Sequence, residues 1–166
     1  MILKGLIDTD TINYKKISMV LEFPICESFK CDRECGMQVC QNSALATAPN
    51  IEVNEDELIQ KYLDNPMTEA IVCQGLEPFD TLGDLWNFLI KLRRTYHCDD
   101  DVVIYTGYTK EELASKFPSH LNLYALKIFP NIIIKFGRYI PGQQPHYDEV
   151  LGVDLASDNQ YAEKIC

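Results

Sequence analysis

The chain has 166 residues, 46% of them hydrophobic, which suits one folded domain with a real core and excludes a disordered chain. Its formal net charge of −10, without a Lys/Arg stripe, argues against a nucleic-acid partner. No apolar run approaches the roughly 20 residues needed to cross a bilayer, and the opening MILKGLIDTD meets charge at Lys4, Asp8 and Asp10, so no signal peptide is expected and the cytoplasm is the expected compartment.

In chain order, two strands are predicted first, Ile2 to Ile7 and Ser18 to Phe23, the second ended by Pro24. The next stretch, CESFKCDRECGMQVC (Cys26 to Cys40), holds four of the seven cysteines. Val39 to Ala48 reads as a helix stopped by Pro49. Asn54, with Glu57 three residues on, predicts the start of a helix that carries Leu58, Ile59, Tyr62 and Leu63 at helical spacing and closes by Pro66. Glu69 to Gln74 is a short apolar strand, followed by the loop GLEPF (Gly75–Phe79). Asp80 to Tyr96 has the periodicity of a long amphipathic helix; Lys91, Arg93 and Arg94 form its basic cluster.

Asp101 to Thr106 is another buried strand, broken by Gly107, and Thr109 caps a short helix, KEELASKF. Ser119 to Phe129 is read as helical and Asn131 to Phe136 as a strand. Gly137, Pro141, Gly142 and Pro145 mark an irregular stretch, and VLGVDLASDNQYAEKIC is expected to hold a short strand and a turn.

Strands alternating with helices imply parallel β/α units, here four or five. Eight units need roughly 200 residues or more. The expected α/β architecture is therefore an open, partial TIM-like barrel of mostly parallel strands. Functional loops belong at the carboxyl ends of such strands. The cysteine loop, GLEPF and TGYT (Thr106–Thr109) all follow strands and are expected on one rim.

An odd number of cysteines, clustered locally in a chain expected in a reducing compartment, favours metal ligation over disulfides. Thiolates suit iron–sulfur clusters or zinc. The gaps between the clustered cysteines are four, three and four residues with no spacer, poor spacing for zinc knuckles, which leaves zinc as the alternative. Cys73 reads as a packed core thiol, Cys98 and Cys166 as inert, and Tyr105, Tyr108 and Trp86 as core by default. His97, His120 and His146 stand in contexts too dissimilar for a shared metal site.

A strand, a cysteine loop, a final cysteine followed by x-Asn (Cys40–Gln41–Asn42) and a later Gly-x-Glu-Pro loop together resemble a radical S-adenosylmethionine (SAM) enzyme. The usual C-x3-C-x2-C pattern is not kept; the loop carries an insertion. The resemblance implies a [4Fe-4S] cluster on three thiolates with one iron open to the amino and carboxylate groups of SAM. Cys26, Cys31 and Cys40 are the favoured ligands, with Cys35 the spare; Cys31, Cys35 and Cys40 are the rival set. Asn42, Gly75, Glu77, Pro78, Thr106 and Gly107 are the implied cofactor-binding residues, and no catalytic residue is expected beyond the cluster ligands.

A narrower likeness covers the later chain. VVIYTGYTKEEL (Val102–Leu113), FGRYIP (Phe136–Pro141) and LASDNQY (Leu155–Tyr161) are similar to segments of the activating proteins of anaerobic ribonucleotide reductases. That family has an acid before the Gly of FGRYIP, where this chain has Lys135 and Phe136. The resemblance implies that a reduced cluster gives one electron to SAM, and that the resulting 5′-deoxyadenosyl radical takes a hydrogen from a glycine of the reductase large subunit. A low-potential donor such as flavodoxin or ferredoxin is the second implied partner. Two other readings are an activase of the formate-lyase type and a non-catalytic, zinc-binding adaptor.

Overall fold

The computed structural model describes residues 1–27, 29–117 and 125–166. Among them the strands are β1 (Ile2–Leu3), β2 (Gly5–Asp10), β3 (Ser18–Phe23), β4 (Ile51–Glu52), β5 (Ala70–Gly75), β6 (Asp101–Tyr105), β7 (Ile132–Phe136), β8 (His146–Asp148), β9 (Val153–Leu155) and β10 (Tyr161–Lys164). The α-helices are α1 (Lys30–Cys35), α2 (Glu55–Leu63), α3 (Leu82–Ile90) and α4 (Lys110–Lys116).

The architecture is mixed α/β around a mostly parallel sheet. Six of these strands pair in the order β10-β7-β6-β5-β3-β2. The inner four, β3, β5, β6 and β7, run parallel. The edges β2 and β10 are antiparallel to their neighbours, and the sheet stays open between them. The parallel strands are Val/Ile/Leu-rich and buried on both faces, as strands covered from two sides must be.

Alternation along each strand sorts the core into two layers. Leu21, Phe23, Ile71, Cys73, Ile104 and Ile134 pack with Leu58, Ile59 and Tyr62 of α2 and Leu85, Phe88 and Leu89 of α3. Their alternates Val20, Val72, Val103 and Ile133 face a smaller layer closed by Tyr14, Leu151 and Leu155. The β8–β9 hairpin thus lies over the second face. No helix among the described residues is long and apolar enough to cross a membrane.

Several elements differ from their sequence-based expectation. The first strand is split at Lys4: β1 pairs with β4 outside the main sheet, while β2 joins β3. The helix expected over Val39–Ala48 is only a 3₁₀ turn, Ser43–Thr47, and α1 forms instead inside the cysteine loop. The Asp32 carboxylate accepts the N–H groups of Val39 and Cys40 at 2.7 and 2.8 Å, which folds the loop back on α1.

The helix expected over Asp80–Tyr96 opens as a 3₁₀ turn (Pro78–Thr81), continues as α3 and ends in a π turn (Lys91–Thr95). Arg93, read as part of the helix's basic cluster, is 7% exposed and donates to the carbonyls of Cys98, Asp100 and Pro130. Of the helix expected over Ser119–Phe129, residues 119–124 lie outside the described residues and Ala125–Ile128 is a 3₁₀ turn. The irregular stretch contains β8, and the C-terminal segment holds two strands, β9 and β10.

Candidate metal centre and cofactor cavity

The strands β3, β5 and β6 are adjacent and parallel, so the loops after them leave one edge of the sheet. With the segment after β7 they enclose a cavity of about 270 Å³. Cys26, Cys31 and Cys40 line it; so do Asn42, Gly75, Glu77, Thr106 and Gly107. Cys35 and Pro78 do not.

The thiols of Cys31 and Cys40 share a hydrogen bond. That bond, aided by the N–H of Asn42, lowers Cys40 to about 6, against the opposing effect of burial. Cys31 is pushed up by the same bond, then by burial and by the nearness of Cys40 and Cys26. The two thiols therefore share a proton, with the thiolate favoured on Cys40. All four clustered cysteines are half-buried. Among the described residues, no three His, Cys, Asp or Glu side chains converge at single-ion distances; the thiols flank a space.

Asn42 is placed by the 3₁₀ turn that follows Cys40, and its Nδ2 donates to the Gly75 carbonyl at 2.7 Å. Gly75 has φ +94°, and a Cβ there would come within 2.7 Å of the Phe23 nitrogen and 2.8 Å of the Glu22 Cα. The glycine thus answers to the close passage of β3.

Glu77 is 4% exposed and ties two loops together. Its carboxylate accepts the Phe79 N–H at 3.2 Å and the Gly107 N–H at 2.9 Å. Burial raises its pKa to about 7, opposed by those two donors and the Thr106 hydroxyl. Pro78 is buried and opens the 3₁₀ turn, whose Asp80 accepts the Glu27 N–H at 2.7 Å. Thr106 is buried, and its hydroxyl accepts the Tyr108 N–H at 3.0 Å. Tyr105 and Tyr108 line the cavity, but their hydroxyls donate elsewhere, to the Asn13 carbonyl and to Asp80. Cys73 is fully buried in the core.

Sequence reasoning missed the polar brace of the cysteine loop. Arg138 grips Glu34 of α1 with Nε and Nη2 at 2.7 and 2.8 Å, and reaches Glu112 of α4 at 2.9 Å. Lys30 of α1 meets the same Glu112 at 2.6 Å. Thr109 and Glu112 form the capping box that fixes α4. The SDNQ turn holds the other end: Asn159 donates to the Arg138 carbonyl at 2.9 Å and Gln160 to the Gly137 carbonyl at 3.2 Å. Lys135 also lines the cavity; its one sequence signal is a cation interrupting the apolar run NIIIKF.

Three soft donors on one cavity wall, with Cys40 biased toward its thiolate, fit an iron–sulfur cluster. A family model described as a 4Fe-4S single cluster domain matches residues 26–138, beginning at the first clustered cysteine and ending at Arg138. No curated protein and no solved structure matches the chain.

Proposed function

Because this chain belongs to the 4Fe-4S single cluster domain family, and is on that ground an iron–sulfur protein, we propose that it is a radical SAM activase that installs a glycyl radical on the large subunit of an anaerobic ribonucleotide reductase. The observation that carries this reading is that Cys26, Cys31 and Cys40 line the same cavity as the Gly75–Glu77 and Thr106–Gly107 loops. A bound cluster would supply the electron for reductive cleavage of SAM, and with it the radical chemistry aimed at the partner's glycine.

The chain's own residues bind and orient. Cys26, Cys31 and Cys40 would hold the cluster, leaving one iron open to SAM. Cys35, which does not line the cavity, is the spare thiol. Asn42 ties the cysteine loop to the end of β5, and Glu77 ties the loop after β5 to the one after β6, so hydrogen bonds link three walls of the cavity. Four parallel strands with functional loops on one edge are read as part of a radical SAM barrel, with antiparallel β2 and β10 where further β/α units would stand. The open side gives a partner's glycine loop a way in. A flavodoxin or ferredoxin is the proposed electron donor.

The test is to reconstitute the protein with iron and sulfide under anaerobic conditions, add SAM and dithionite, and assay 5′-deoxyadenosine with and without the reductase large subunit. The reading expects cleavage, and a glycyl-radical signal on the reductase subunit. A formate-lyase-type substrate activated in its place redirects the partner. Colourless protein with stoichiometric zinc, or a loaded cluster that leaves SAM intact, overturns the activity.

A further inference from the structure

Lys135 lies near the end of β7, on the sheet face otherwise given to Val20, Val72, Val103 and Ile133. It lines the cavity and yet is only 6% exposed. Its Nζ donates to the Gly137 carbonyl at 2.6 Å and sits 5.8 Å from the centre of the Tyr105 ring. Among the described residues no ion pair involves it. Glu77 and Cys31 are within electrostatic reach, but the Glu77 carboxylate is turned to the N–H groups of Phe79 and Gly107.

An ammonium has three donors, and burying one without an anion is costly. The other cations of the cavity wall are engaged: Lys30 with Glu112, and Arg138 with Glu34 and Glu112. The wall also carries two carboxylates, Glu77 and Asp154. A polyphosphate would meet both carboxylates with one ammonium in compensation. A ligand with a single carboxylate and an otherwise cationic body matches this charge pattern.

We propose that Lys135 is the carboxylate receptor of the cavity, taking the amino-acid end of its ligand. The inference rests on the SAM reading above and adds a residue to it: one SAM carboxylate oxygen goes to the open iron, and the other accepts from the Lys135 ammonium.

The test is equilibrium binding to the anaerobically reconstituted protein, comparing SAM with its decarboxylated analogue, which lacks only that carboxylate. Wild type is compared with K135M and K135R, each checked for iron content and circular dichroism. A charge-assisted hydrogen bond predicts a loss of roughly 10- to 100-fold in SAM affinity for K135M, with the analogue's affinity changed less than about 3-fold. K135R recovers most of the loss. Equal losses for both ligands, or no loss for SAM, overturn the role of Lys135 and leave the SAM site standing. Wild-type protein that binds neither ligand removes the SAM reading and this inference with it. Should K135M fail to load iron, K135Q carries the same comparison.

Discussion

The carboxylate of Glu77 receives the backbone N–H of Gly107 across 2.9 Å, inside the protein, and so fastens the loop after β5 to the loop after β6. The residues are 30 apart in sequence, and each belongs to a strand-end loop that lines the cavity. A glutamate read from the sequence as a contact for cofactor is the bolt between two walls.

Burial also makes Glu77 a source of pH dependence. Its pKa is about 7 in the fold against an ordinary 4.5, so the folded state holds the proton more tightly and stability falls as pH rises between those values. Lys135 runs the other way: burial lowers it from 10.5 to about 8, so stability rises from pH 8 to pH 10.5. Each arm is worth about 3 kcal/mol, and together they leave a trough between pH 7 and 8. Urea denaturation across pH should show E77Q losing the acid arm and K135M the alkaline one. Variant curves parallel to wild type contradict the account.

Gly75 and Gly36 both have positive φ, +94° and +66°, but only Gly75 is crowded by backbone. G36A should cost about 1 kcal/mol, the ordinary penalty of a left-handed alanine. G75A must also move β3 and should cost more than about 3 kcal/mol. Similar melting temperatures for the two variants would show that β3 yields easily at Glu22 and Phe23.

Arg138 pairs with two carboxylates of unequal exposure, Glu34 at 54% and Glu112 at 29%. Screening holds the exposed pair to about 0.5 kcal/mol, and the more sheltered one should reach about 1–2 kcal/mol. Double-mutant cycles with R138M, E34Q and E112Q measure both couplings. The larger coupling is expected at Glu112, and the reverse order contradicts this.

The cysteines sort by iron and acid-labile sulfide content. C26S, C31S and C40S should each lose most of both, and C35S should keep them. Retention in C26S with loss in C35S would transfer the ligand role to the rival set, Cys31, Cys35 and Cys40.

How much was legible follows from where each signal lies. The four parallel strands could be read because each centres on a short apolar run bounded by Gly, Pro or polar residues. Their order then put three loops on one edge, which is why the cysteines, Asn42 and the GLEPF loop meet. β4, with two residues, and β8, with three, are too short to carry a period. The fold of the cysteine loop was hidden because it depends on Asp32 capturing N–H groups seven and eight residues away. Arg138 and Glu34 are 104 residues apart, and no local pattern announces such a pair. Lys135 was visible as an oddity in an apolar run, but its burial beside a cavity needed the packed sheet.

The central claim is a cluster on three thiolates whose fourth iron takes SAM. Electron paramagnetic resonance of the dithionite-reduced protein, recorded before and after adding SAM, tests it most directly. The account predicts a four-iron signal in C35S as in wild type, and a clear change of g values when SAM arrives. A signal indifferent to SAM, in protein carrying its full iron and sulfide, would mean that the fourth iron is closed and the cluster serves electron transfer alone.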